Sequence, residues 1–281
     1  MQSEQQSYAQ AIKRIGDLHG NMAVLSKLDT VLKDYNSSLE DAEQLVQSDG
    51  AIAATIVKLS NSALYGFGEG DNDLSSALQK VGFAETLKLV SMALSKQVFM
   101  RDLDAYGVSA DSYWRYSYFV AVFMEGQAKR VGLDVSDAYL LGLLHSIGRV
   151  VITELLHADE VEVYWDRFVS ESVWETSMVG FTNRVAGSLL LKSWNFTEEI
   201  YQRVEQQSDP ELQAADPVLA LLDYARQLAL HLEDASRIEE LCQPEAHPYL
   251  ALCEQSESEL LASIATAQAD LEETYESLRK C

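Results

Sequence analysis

The 281-residue chain is predicted to be all-α, a multi-helix bundle. Three observations predict it. Apolar residues recur at helical spacing along nearly the whole chain, only four prolines interrupt them, and no run alternates as a half-buried strand does.

Taken in order, Ser38 and Asp41 form a capping box for a helix over Leu39–Gln47. Asp49 opens GAIAATIVKLSNSALYG, in which Ile52, Ile56, Leu59 and Ala63 share a face, and Gly66 and Gly68 end it. Asp73 starts Leu74–Val81, Gly82 punctuates, and an amphipathic helix follows over Ala84–Phe99. Ala110–Val131 is long and aromatic. One stripe carries Trp114, Tyr118 and Val122, a second Tyr116, Val120, Phe123 and Met124. Ser136–Leu156 reads as one helix, apolar on nearly all sides over Leu140–Ile152, with His145 and Ser146 at its polar midpoint; such a helix belongs inside a bundle. Glu160–Glu171, Trp174–Trp194, Thr197–Gln207 and Asp216–Leu232 continue the pattern, with Thr197 as an N-cap. Within 248–281 a last helix, with Leu260, Ile264, Leu271 and Leu278 as its apolar positions, is expected to dock across the bundle.

The expected organisation is an N-terminal helical lobe over 1–108, a second lobe over 109–235 and a helical extension over 236–281. The junction MRDLDAYGVSAD is short, which predicts one continuous core.

Composition excludes several functions. Lys and Arg total 21 against 44 Asp and Glu, a net charge of −23. Such a surface repels phosphate backbones and anionic lipid, so neither nucleic acid nor a membrane is an expected partner. A protein partner should be neutral or basic where it touches. The first residues, MQSEQQSYAQAIKR, lack the apolar core of a secretory signal, and no run reaches the roughly 18–20 apolar residues of a membrane span. Cys242, Cys253 and Cys281 fit a reducing compartment, and the expected location is the cytoplasm.

Gly16-Asp17-Leu18-His19-Gly20-Asn21 matches the opening metal motif of calcineurin-like phosphoesterases in letters only. That chemistry needs further strand-borne Asp, Asn and His ligands, and none follows. There is no G-x-S-x-G, P-loop or dinucleotide glycine set, and Ser146 beside His145 makes no nucleophile pair, because adjacent helical side chains diverge.

Several segments in succession resemble the HDOD family, the HD-related output domain of bacterial signalling proteins. They are SDGAIAATIVKLSNSALYG (48–66), DLSSALQKVGFAETLKLVSMALSKQV (73–98), Trp114-Arg115-Tyr116-Ser117, YLLGLLHSIGRVVI (139–152) and RVAGSLLLKSW (184–194). The resemblance spans about Met22–Leu232. It implies descent from HD phosphohydrolases, which hold a divalent metal with histidines and aspartates.

Aligned on that resemblance, the first histidine becomes Tyr116, the His-Asp pair becomes His145-Ser146, and the histidine of "HxxVG" falls at Asn183, counted two before Val185, or at its neighbour. The closing histidine pair becomes Gln206-Gln207, and the last carboxylate falls near Asp223 or Arg226. Phenols and amides substitute poorly for carboxylate and imidazole ligands. No metal, cofactor or catalytic residue is therefore expected. Tyr116, His145, Ser146, Arg149, Asn183, Gln206, Gln207 and Asp223 are expected to line a remnant cleft, or to be hydrogen-bonded core. Arg149 is expected to pair with Glu154 or with a carboxylate of a neighbouring helix. A cleft without a cation in so acidic a protein is expected to suit phosphates poorly. The expected function is a non-catalytic regulatory module acting through protein partners in a signalling pathway, with a homodimer possible. The alternatives are a nucleotide second-messenger sensor and a metal-dependent phosphohydrolase.

Overall fold

A computed structural model of the protein describes residues 22–47, 49–61 and 73–280. The Gly16–Asn21 stretch, Ser48, Ala63, Gly66, Gly68 and Cys281 lie outside the described residues. The helices are α1 (Ala23–Lys33), α2 (Leu39–Gln47), α3 (Gly50–Ser60), α4 (Leu74–Val81), α5 (Phe83–Phe99), α6 (Ala110–Val131), α7 (Val135–Leu144) and α8 (Gly148–Ala158). They continue with α9 (Glu171–Val179), α10 (Asn183–Ser193), α11 (Glu198–Gln206), α12 (Pro210–Ala215), α13 (Pro217–Leu230), α14 (Ala235–Leu241), α15 (Leu250–Cys253) and α16 (Glu257–Lys280). Among the described residues the only β pairing is an isolated bridge between Leu103 and Val108. The fold is all-α.

Local capping sets many of the helix starts. The Ser38 N–H donates to Asp41 Oδ2 at 2.8 Å, while the Asp41 N–H reaches back to Ser38 Oγ at 3.4 Å. Asp49 accepts from the N–H groups of Ala51 and Ile52, Asp73 from Ser76, and Asp216 from Val218 with Pro217 at the first helical position.

The core centres on α6, which packs against α7, α13 and α16. Trp114, Tyr118 and Val122 are buried, the first two rings stacked at 4.8 Å. The second stripe buries Val120, Phe123 and Met124 and leaves Tyr116 half-buried. Helix α16 lies along α6 with Leu260, Ile264, Leu271 and Leu278 inward. It is fastened by Arg115 to Glu272 (2.7 Å), and by Tyr118 and Lys88 to Asp270 (2.8 and 2.7 Å).

The structure corrects four expectations about elements. Ser136–Leu156 is two helices, because His145, Ser146 and Ile147 form a turn between α7 and α8. Through the turn the bonds tighten to three-residue spacing: Ile147 to Leu144, Arg149 to Ser146 and Val150 to Ile147, at 3.0–3.1 Å. Residues 160–170 are not helical. Glu160 and Arg167 have positive φ (55° and 67°), and the Trp165 N–H leaves the local pattern to bond the Ala105 carbonyl at 2.7 Å. Trp174–Trp194 breaks at Gly180, whose φ of 84° caps α9. Thr197 holds the N-cap backbone conformation of α11 but makes no side-chain capping bond.

By length and composition one stretch among the described residues, Val135–Ala158, is apolar enough to cross a membrane, yet 83% of its apolar window is buried inside the protein.

Candidate functional site

The turn between α7 and α8 occupies the centre of the molecule because two helices approach it without side chains between. A Cβ on Gly142 would lie 2.7 Å from the Ala121 Cα of α6. Gly148 similarly meets the start of α10. These contacts fix both ends of the turn.

Tightening leaves the His145 carbonyl without its usual partner four residues on, and the Gln207 amide takes it at 2.7 Å. Gln207 also donates to Val204 O at 2.8 Å, and Tyr113 donates to Ser146 O at 3.0 Å. The His145 Nδ1–H donates to Gly142 O at 2.7 Å, which fixes the tautomer and leaves Nε2 as an acceptor. That atom is buried and has no hydrogen-bond partner among the described residues. Burial, then the charge of Arg226 and to a lesser degree that of Arg149, hold the imidazole well below its ordinary pKa against the pull of the Gly142 carbonyl. The Tyr116 ring packs on the imidazole with centroids 5.4 Å apart. Ser146 is buried, with Ser117 Oγ 3.5 Å from its hydroxyl.

Beside this turn lies a second polar group. Arg149 Nε donates to Glu171 Oε1 at 2.6 Å, so its partner comes from α9, while Glu154 pairs with Arg101. Burial works against the Arg149 charge, but Glu171 outweighs it and raises the guanidinium pKa. The guanidinium sits 5.5 Å over the Tyr106 ring. Tyr106 donates to Glu175 Oε1 at 2.8 Å, and Glu175 accepts from the Asn183 N–H (2.9 Å) and from its amide (2.7 Å). Glu175 is thus a buried carboxylate over the first turn of α10, where the helix dipole favours negative charge.

The expected cleft residues therefore divide. His145, Ser146, Tyr116 and Gln207 meet at the turn, and Arg149 and Asn183 belong to the adjoining carboxylate network. Gln206 is exposed. Asp223 points elsewhere, accepting from His247 Nε2 at 3.0 Å and Gln227 at 2.9 Å. Burial raises its pKa, but the bonds from His247 and Gln227 and the charge of Arg226 bring it below the usual carboxylate value. Sequence reasoning missed Glu171, Glu175, Tyr106 and Tyr113 altogether. Arg226 stood there only as an alternative alignment for a lost carboxylate.

This donor set does not fit a divalent metal. Around His145 stand neutral hydroxyls, amides and two guanidinium charges. Among the described residues no group of three or more His, Cys, Asp or Glu is placed to hold an ion.

The fold is that of the HD-like helical proteins. The HDOD domain family model matches residues 21–210, and the chain belongs to the HDOD family. A relative from Treponema pallidum (strain Nichols), an uncharacterized protein, is 26% identical over 198 residues, 68% of this chain and 37% of that protein. The chain thus spans little more than a third of that relative. Among solved structures, a protein from Shewanella amazonensis SB2B, named provisionally as a phosphohydrolase, matches with a TM-score of 0.70 and 20% identity over 97% of this chain and 98% of that one. An HDOD domain protein with unknown function from Geobacter sulfurreducens gives 0.62 and 18%, over 89% and 91%. A protein from Marinobacter aquaeolei VT8, named provisionally as a signal transduction protein, gives 0.61 and 20%, over 97% and 66%. At such identities the likeness carries the fold.

Proposed function

We propose that the protein is a regulatory module that works by contact with another protein and catalyses no hydrolysis. Membership of the HDOD family supports a regulatory role, and the Marinobacter protein of similar fold bears a signalling name. The carrying observation is the 159–173 segment. It leaves Tyr164, Phe168, Val169 and Val173 exposed (72, 90, 46 and 58%) beside the exposed carboxylates of Asp159, Glu160, Glu162 and Asp166. Clustered exposed apolar side chains rimmed by charge mark association surfaces. The acidic rim calls for an apolar partner surface flanked by lysines or arginines. Glu171, at the end of the same segment, ties it through Arg149 to the His145 turn.

The test compares wild type with a Tyr164→Asp/Phe168→Asp double variant. Both should unfold within about 0.5 kcal/mol of each other, since the changed side chains are exposed. Wild type should cross-link a partner with a basic contact face, salt should weaken the complex, and the double variant should lose it. Recovery of the same proteins by both forms, or of none reproducibly, sinks the reading. So does a stoichiometric, tightly held metal with chelator-sensitive phosphate release.

A further inference from the structure

The 159–173 segment carries a preformed knob. The Trp165 indole N–H donates to the Val169 carbonyl at 2.9 Å, and the Phe168 N–H donates to Asp166 Oδ1 at 3.0 Å. Arg167 takes a left-handed backbone, with φ at 67°. These bonds fold 165–169 on itself and leave the Phe168 ring outward, 90% exposed. Elsewhere the molecule has an open cleft of about 660 Å³ between α5, α6, the start of α7 and α16. Phe123, Val135 and Ala267 give it an apolar lining, and Gly126 lines it too. Gly126 lies inside α6 and is exposed, and a Cβ there would meet nothing within 4 Å. Glycine is a poor helix-interior residue, and no neighbour's packing asks for it here. Its effect is to keep the cleft clear of side chain and the α6 backbone open to close approach.

We propose that this cleft receives the Phe168 knob of a second copy of the chain. A second copy is thereby the partner of the contact surface described above, and the inference rests on that reading. Charge complements shape. Glu162 and Asp166 beside the knob call for basic residues around an apolar surface, and Lys129 and Arg130 line the cleft with exposed side chains. Arg167, next to Phe168, has Glu85 as its counterpart on the same cleft. Two copies of net charge −23 repel at a distance, but at about 0.15 M salt the screening length is about 8 Å, so the charges at the joint count most. Because the knob is already folded, docking loses little conformational entropy. Knob and cleft are different surfaces, so copies join either reciprocally as a pair or head to tail in a row.

Two variants of the full chain each break one half of the joint. Phe168→Asp spoils the knob at an exposed position, and Gly126→Phe fills the cleft with the kind of side chain the knob would bring. Sedimentation at about 0.15 M salt should show the wild-type mass rising with concentration, with a dissociation constant on the order of 10 μM. Each variant alone should associate at least about tenfold more weakly. Mixed in equal amounts the two should pair again and stop at a dimer, because only the Gly126→Phe knob and the Phe168→Asp cleft remain intact. Should Gly126→Phe not fold, Val135→Glu, which sets a charge in the apolar wall, takes its place. A wild type that stays monomeric, a variant that associates like wild type, or a mixture that pairs no better than its components overturns the assignment. If wild type stays monomeric while a different captured protein is lost on the Tyr164→Asp/Phe168→Asp change, the second copy is wrong and the partner-contact reading stands. If it stays monomeric and no protein is captured, both fall.

Discussion

A Cβ on Gly148 would stand 1.7 Å from the carbonyl oxygen of Asn183 and 2.7 Å from the Gly187 nitrogen. The obstacle is backbone, so no rotamer change relieves it. Gly148→Ala must push α8 and α10 apart at the centre of the core. We expect a loss of about 3 kcal/mol or more in urea unfolding, beyond the usual cost of overpacking. Gly142→Ala, whose Cβ would meet the Ala121 Cα at 2.7 Å, should lose less. A near-neutral Gly148→Ala would mean that the two helices are not in backbone contact.

Glu175 is fully buried and accepts three hydrogen bonds from Tyr106 and Asn183. Glu175→Gln keeps the shape but turns an amide N–H₂ toward one of those donors. It should destabilise by about 1–3 kcal/mol, the cost of an unsatisfied buried group. Tyr106→Phe should fall in the same range, and the double variant should cost less than the sum. Additivity of the two would show that they do not share one network.

His145 has a folded-state pKa well below its unfolded value, which is about 6.5. Between those two values the unfolded chain binds a proton that the folded protein refuses. The histidine's contribution to stability is thus full above about pH 6.5 and is lost as pH falls toward the folded pKa. Burial holds it there first, then the charge of Arg226 and to a lesser degree that of Arg149, with Tyr116 packed against the ring. We expect the His145 imidazole to stay neutral in NMR titration from pH 8 to pH 5. Its replacement in His145→Gln should flatten part of the acid limb of stability against pH. A His145 resonance titrating near its ordinary value would contradict the burial described.

On α16, neighbouring carboxylates should behave differently. Asp270 accepts from both Tyr118 and Lys88, and the lysine side chain is only 14% exposed. Glu272 grips Arg115 at a site where its own side chain is 60% exposed. Asp270→Asn should cost about 1–3 kcal/mol and Glu272→Gln under about 1 kcal/mol in thermal unfolding. The reverse order would place the fastening of α16 at the solvent edge.

Helix starts were legible where the chemistry is local. Asp49, Asp73 and Asp216 each bond the N–H groups two or three residues onward, so the sequence alone carries the signal. The interruption of Val135–Ala158 was not legible, because both sides of it are equally apolar and hydrophobic periodicity does not change there. Its cause lies in Gln207, 62 residues away, and in the close approach of α10 to Gly148. Spacing misled over 160–171, where Tyr164 and Phe168 stand four apart like a helical stripe, yet both face solvent. At the turn, the resemblance placed His145, Tyr116 and Gln207 in one neighbourhood. The Glu175 network escaped, since a lone glutamate in an amphipathic stretch looks like a solvated face. Its burial arises only after Gly180 folds α10 back against α8.

Helix α13 begins at Pro217, beyond the stretch matched by the HDOD family model, which stops at residue 210. Yet its Leu221, Leu222, Tyr224 and Leu228 are buried, and it presses on α6. A recombinant fragment trimmed to the family boundary would strip the innermost helix of a covering face and discard Arg226 with it. A survey of the turn's surroundings confined to the matched stretch would overlook one of the two guanidinium charges that bear on His145.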